Sequence, residues 1–319
     1  MYSYLDDSYK IYVYLLPQYI SKLMDDARNF EILKKGNKVN MNQFFCMLIE
    51  GYYEQFSNID KHLKNTRHFD SYGIKEKRKR IMIRPTKENK PLFDKIITLN
   101  SSSAGVSQYF AHMLMSYCDL SMSKREQIIF HENYSTLRRV SNPANRIRIT
   151  FKTKYSNCVH EAIPYKMVVS KEEMFNYLLC AEINQDSEQI EMPFRLNRLL
   201  TINCVPGDNS INEDVERHLI KMEKYAPQYR IEDDVETCVR LTDEGVLAYE
   251  RIYFGRPDRL PNRDEEKLDG HYYYFDCSTN QLFLYFRRFG CEAEIVYPEN
   301  LRNRMKDFHS RAYAVYEKG

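Results

Sequence analysis

A stretch of this chain recurs sixty-five positions later, and that repeat limits its fold more than any other feature. Residues 43–52, QFFCMLIEGY, are matched by residues 108–117, QYFAHMLMSY. Phe45, Leu48, Ile49 and Tyr52 fall at i, i+3, i+4 and i+7, and so do Phe110, Met113, Leu114 and Tyr117. Each set is one apolar helical stripe. Asn40 or Asn42 is the expected N-cap of the first helix, and Ser103 or Ser107 that of the second. A second match lies upstream. Residues 10–17, KIYVYLLP, and residues 78–85, RKRIMIRP, both alternate and stop at proline, now at an offset of 68. Alternation predicts strands. Helical stretches are expected over 18–33 and 87–99. Each copy therefore reads strand, helix, turn, helix, the first within 1–72 and the second within 73–140.

That order resembles the ribbon-helix-helix family of nucleic-acid-binding proteins, over roughly residues 8–120. The resemblance implies that two copies intertwine and pair their strands into an antiparallel ribbon, here within a single chain. Ile11, Val13, Leu15, Ile81 and Ile83 would face the helices. Lys10, Tyr12, Tyr14, Arg80, Met82 and Arg84 would line the outer, nucleic-acid-facing side. A ribbon fits the major groove, where arginine reads guanine. Tyrosine instead suits stacking on unpaired bases, so single strands and duplexes both stay open as ligands. Charge supports a polyanionic partner. Residues 1–154 hold 26 Lys and Arg against 15 Asp and Glu, whereas residues 155–319 hold 21 against 30. Lys34, Lys35, Lys38 and the basic residues of 75–80 add to the first half. The competing reading makes the tyrosines ordinary sheet surface and the basic run a solvated linker.

Near residue 146 the pattern changes to short strands, expected at 146–151, 162–169, 175–180 and 194–199, which indicates a small barrel. Ile163-Pro164-Tyr165, Asn176-Tyr177-Leu178 and the run Phe194-Arg195-Leu196-Asn197-Arg198-Leu199 resemble the WYL domain, a small Sm-like or SH3-like barrel of bacterial regulators. No Trp occurs in the chain, and Asn197 stands where that family usually has Asp. The resemblance covers 145–207 and implies a groove for anionic ligands or single-stranded nucleic acid. Arg195 and Arg198 would fork onto phosphate, Tyr177 would offer a ring face or hydroxyl, and Arg148 would join from the first strand. Phe194 and Leu196 read better as barrel core. Residues 208–319 resemble the C-terminal extension that often follows WYL domains. A helix is expected after Pro206-Gly207-Asp208. Strands are then expected at 272–275, 282–286 and 291–297, and a helix from Pro298 to Tyr316. Such extensions mediate assembly, so a homodimer is expected.

The expected fold class is α+β: a duplicated ribbon-helix-helix unit, a WYL-like barrel and an α+β extension. No Gly-rich phosphate loop or nucleophile elbow occurs, and the eight histidines are dispersed. The pairs His62 with His68 and His131 with Glu132 lack metal-ligand context, and Asp233-Asp234 reads as a solvated face. The eight cysteines form no Cys-x-x-Cys pair, which argues against a zinc ribbon or disulfide framework; most should be buried apolar groups. A non-enzymatic chain with no cofactor and no metal is expected. No apolar run spans a bilayer and the N-terminal residues do not read as a secretory signal, so a cytoplasmic protein is expected. The domain combination is similar to accessory proteins of RNA-targeting CRISPR effectors, which bind single-stranded RNA and stimulate an effector nuclease. The alternative is a ligand-responsive, DNA-binding transcriptional regulator.

Overall fold

The structure, a computed structural model, describes residues 10–33, 38–63, 78–100, 105–141, 145–232 and 234–317. The fold is α+β with antiparallel sheets. Two compact units meet in sequence at Ser135 and Thr136. Lys34, Lys35, His62, His68, residues 75–77, Ser103 and Asp233 lie outside the residues or side chains described.

The first unit holds β1 (Ile11–Leu15), α1 (Pro17–Asn29), α2 (Met41–Leu63), β2 (Lys79–Ile83), α3 (Lys90–Asn100), α4 (Val106–Cys118), α5 (Met122–Ile129) and the start of α6 (His131–Val140). Strands β1 and β2 form a two-stranded antiparallel ribbon. Its central pair is Val13 opposite Ile81, the two residues related by the 68-residue offset. Ile11 then faces Ile83 and Leu15 faces Lys79, as a local two-fold through that central pair requires. Ile11, Val13, Leu15 and Ile83 are buried, and Ile81 is half-buried.

The helices cross over in the same sense. β1 packs on α4, from the other repeat, and β2 packs on α2. The predicted stripes are all buried: Phe45, Leu48, Ile49 and Tyr52 in α2, and Phe110, Met113, Leu114 and Tyr117 in α4. Tyr52 and Tyr117, matched by the 65-residue offset, meet edge to face with centroids 6.2 Å apart. The Tyr52 hydroxyl lies 2.9 Å from Ser116 Oγ. Asn40 caps α2, its Oδ1 accepting from the Gln43 N–H at 3.3 Å. α4 differs from expectation: Gly105, at φ +94°, is its cap residue, and Ser107 lies inside the first turn. Only a residue without Cβ takes that backbone angle readily. α1 starts with Pro17 in the first turn and stops short of residue 33, because Glu31 adopts φ +56°. Asp26 of α1 and Arg125 of α5 form a buried two-pronged ion pair at 2.7 and 2.9 Å, and Arg125 also donates to the Leu120 carbonyl at 2.6 Å.

The second unit contains two sheets. The first comprises β3 (Ile147–Lys152), β4 (Asn157–Val169), β5 (Asn176–Ile183), β6 (Gln189–Arg195) and β7 (Leu199–Cys204), in the order β6-β5-β4-β3-β7. The last strand thus returns to pair with the first. Helix α7 (Glu213–Lys224) lays Val215, Leu219 and Met222 over Ile163, Leu179 and Ala181. The second sheet, ordered β11-β8-β10-β9, is built from β8 (Thr237–Leu241), β9 (Glu265–Lys267), β10 (Gly270–Phe275) and β11 (Ala293–Tyr297). α8 (Asp243–Arg251), α9 (Thr279–Phe286) and α10 (Glu299–Glu317) accompany it, around a core rich in Tyr and Phe.

Two local expectations are corrected. Residues 194–199 are not a strand: β6 ends at Arg195, Leu196–Arg198 is a 3-10 turn, and β7 starts at Leu199. The chain has to bend there to reach the opposite edge of the sheet. Residues 282–286 are helical rather than extended, as part of α9. Leu282, Phe283, Tyr285 and Phe286 are all buried, and a run covered on nearly every side carries no period to tell helix from strand. Five cysteines are buried, Cys158 is half-buried, and Cys204 and Cys291 are exposed; all eight are free.

Candidate nucleic-acid interface

The ribbon's outer face follows from alternation. Because Ile11, Val13 and Leu15 point into the helices, Tyr12 and Tyr14 must point away, and they are 40% and 48% exposed. On β2, Arg80 and Met82 are exposed with them. Tyr14 lies opposite Arg80 and Tyr12 opposite Met82. The Arg80 guanidinium sits 4.9 Å from the Tyr12 ring centroid, a cation–π contact that holds the ring with one face engaged. Lys79 and Arg80 mark one end of the ribbon. Lys10 and Arg84 flank the other end, next to the Ile11 and Ile83 pair, and both are half-buried outside the strands. Asn42 fixes Arg84 by its backbone: Oδ1 accepts from the Arg84 N–H at 2.7 Å, and Nδ2 donates to its carbonyl at 2.9 Å. The face therefore alternates cation, aromatic and cation, a pattern suited to phosphates spaced by stacked bases.

The four residues expected to line a groove in the second unit do not form one cluster. Tyr177 of β5 lies opposite Arg195 of β6 in the sheet register, and Arg198 follows one 3-10 turn later. Arg148 is on β3, opposite Glu161, seven residues along β4 from Val168, which is the partner of Tyr177. Glu161 engages Arg148 through Oε1 at 2.6 Å and Arg146 through Oε2 at 2.6 Å. Hydrogen bonds from Arg148 and then Arg146 hold the Glu161 carboxyl below the usual carboxylate range.

Tyr177 is buried, and its hydroxyl donates to Glu173. Its ring face is not open to a base. Arg195 instead lays its guanidinium 3.2 Å from the centroid of the Phe175 ring. Arg195 and Arg198 stay half-buried, whereas Phe194, Leu196, Asn197 and Leu199 are buried. Strict alternation would have put Arg198 on the side of Leu196; the three-residue period of the 3-10 turn swings it out with Arg195. Phe175, Glu173 and Glu161 were not singled out from sequence. Phe175 and Glu173 sit two and four residues before Tyr177, so proximity was the one available signal. Asp234, expected on a solvated face, is instead ion-paired to Arg217 at 3.0 Å and to Lys221. Among the described residues, no group of three or more His, Cys, Asp or Glu is placed to hold a metal. No described helix is long and apolar enough to cross a membrane.

No family model matches this chain, and no curated protein does. Solved structures do. A match over 74% of this chain and 37% of the other is to proteasome accessory factor B/C (PafBC) of Arthrobacter aurescens, at 14% identity and a TM-score of only 0.27. A chain described as a CRISPR Cas-related protein aligns over 99% of this chain and 97% of its own, with a TM-score of 0.71 at 17% identity, so the two share a fold over essentially their whole lengths.

Proposed function

We propose that this protein is a non-enzymatic accessory factor of a CRISPR system that binds single-stranded RNA and stimulates an RNA-targeting nuclease. The observation that carries the binding reading is the ribbon's outer face, where exposed Tyr12 and Tyr14 are set between cationic ends. Aromatic faces stack on any unpaired base, while flanking Lys and Arg release counterions from phosphate. Arg195 and Arg198 provide a further pair of forked donors in the second unit. The CRISPR setting is drawn from the fold shared with the Cas-related chain. The strand order β6-β5-β4-β3-β7 supports a WYL-like barrel over 145–207, and the Val13–Ile81 pairing supports two intertwined ribbon-helix-helix copies. In this reading residues 208–319 serve homodimerisation.

The test is a salt-titrated comparison of single-stranded RNA, single-stranded DNA and duplex DNA on the full chain. Single-stranded RNA should bind best. Replacing Arg195 and Arg198 together by Ala should weaken it and shallow the salt slope by about two phosphate contacts. Preference for duplex DNA, lost on Arg80→Ala with Arg84→Ala, would overturn this reading in favour of an operator-binding regulator. Such a ribbon could enter a major groove.

A further inference from the structure

The backbone pairing of the ribbon is two-fold symmetric, but its outer face is not. A ribbon made of two identical copies shows every outward side chain twice, once on each side of the two-fold. A ligand read by such a face repeats in the same way, which is why paired copies read palindromic duplexes. Here the central pair is Val13 with Ile81, so symmetry mates are related by the 68-residue offset. Toward the helices the mates keep their character: Val13 has Ile81, and Leu15 has Ile83. Toward solvent they do not. The mate of Tyr12 is Arg80, and the mate of Tyr14 is Met82. The mate of Lys10 is Arg78, and that of Leu16 is Arg84. The ends are held differently as well. Asn42 clamps the Arg84 backbone with both amide atoms, and its own mate, at the 65-residue offset, is Ser107, which has no amide.

The geometry gives this asymmetry a direction. Arg80 stands opposite Tyr14 in the register, yet its guanidinium reaches diagonally to the ring of Tyr12, 4.9 Å from the centroid. One cation therefore serves two rings that lie on the same strand, two residues or about 7 Å apart. Met82, opposite Tyr12, adds apolar surface and no second cation. Neighbouring bases in a stacked helix are only about 3.4 Å apart and present their edges, not their faces, in the groove. Rings about 7 Å apart instead suit two consecutive bases that have come unstacked, each lying on one ring, with the phosphate that joins them at Arg80. Beyond Tyr14 lie Arg78 and Lys79, both exposed; beyond Tyr12 lie Lys10 and Arg84, both half-buried. A strand crossing this face meets unlike groups at its two ends, and a palindromic duplex would meet different side chains at each of its identical halves.

We propose that the ribbon binds one RNA strand in one direction, with two consecutive unpaired bases on Tyr12 and Tyr14, their joining phosphate on Arg80, and the flanking phosphates on the unlike ends at Arg78 with Lys79 and at Lys10 with Arg84. This rests on the reading that the ribbon is a single-strand-binding face, and it adds the polarity of the strand and the loss of palindromic recognition.

Photocrosslinking of the full chain tests it. The probes are single-stranded RNAs of about six nucleotides with 4-thiouridine at the 5′ end or at the 3′ end, and the attached peptides are mapped by mass spectrometry. Each probe should mark one end of the ribbon, and the two probes should mark opposite ends. Both probes marking both ends equally would overturn the proposal and leave single-strand binding by the ribbon standing. RNA attached only elsewhere, or not bound at all, would overturn both. Arg80→Tyr with Met82→Tyr gives the two strands the same outward rings, so each probe should then mark both ends. A pattern that stays one-way in this variant would show that direction is set outside the ribbon and would overturn the proposal. Salt titration gives a second measure should that variant fail to fold. Arg80→Met should shallow the slope by about one phosphate contact. Tyr12→Ala, at the mate position, should weaken binding about fivefold or more with the slope unchanged. The same response at both mates would also overturn the proposal.

Discussion

Tyr12 and Tyr177 both sit on strands, both in runs that resemble nucleic-acid-binding families, and they end in opposite situations. Tyr12, with Tyr14, projects from a ribbon that, among the described residues, is covered by helices on one face. Tyr177 lies on β5, where six consecutive residues, Asn176 to Ala181, are buried, so both faces of that strand are covered. The difference teaches that residue type and strand position do not make an aromatic available; the number of layers over the strand does. In the ribbon tyrosine is ligand-facing surface. In the five-stranded sheet it is core with a hydroxyl satisfied by Glu173, and the reachable polar groups are the arginines at the edge.

The comparison can be broken most forcefully by removing what holds the ribbon's helices. Asp26→Ala leaves Arg125 buried without its carboxylate, so the first unit should lose about 3–5 kcal/mol in urea unfolding. A loss below about 1 kcal/mol would show that the pair does not tie α5 to α1. Next, Tyr12→Ala and Tyr14→Ala should each cost about 1–3 kcal/mol of single-stranded RNA affinity while changing stability by no more than about 0.5 kcal/mol. Unchanged RNA binding would reduce these rings to plain sheet surface. Tyr177→Phe should do the reverse, costing about 1 kcal/mol of stability through the lost hydroxyl bond and leaving RNA affinity alone. The smallest effect concerns Glu161. Its folded pKa is depressed, so its stabilising pairing with Arg148 and Arg146 is present above the ordinary carboxylate pKa and lost as pH falls through the lower folded value. Glu161→Gln should remove that acid-side dependence in pH-resolved melting curves. It should also slightly raise polyanion affinity by releasing two arginines.

Much of the first unit was legible because its signals are local and occur twice. The spacing of Phe45, Leu48, Ile49 and Tyr52 fixes a helix face whatever packs on it, and the alternation of Ile11, Val13 and Leu15 fixes a strand face. The 68-residue offset placed Val13 and Ile81 as equivalents, and they became the central pair of the ribbon. Illegible were the features set by distant contacts. Gly105 rather than a serine caps α4. Residues 282–286 are helical, and burial on nearly every side hid this by erasing their period. Residues 194–199 became a bend because the chain had to cross from one sheet edge to the other. Glu172 accepts from Gln228 and Gln281, 56 and 109 residues away, and no local spacing announces such a set.

By itself, then, the sequence determined the α+β composition, the repeated strand-helix-helix order, the inward and outward faces of the ribbon and the helical stripes. All are consequences of backbone periods of two and 3.6 residues. Only the tertiary structure decided which outward positions stay in water, and which arginine meets a carboxylate and which an aromatic ring. Those outcomes depend on what a second layer of the chain lays over each face, and that layer comes from residues tens to a hundred positions away.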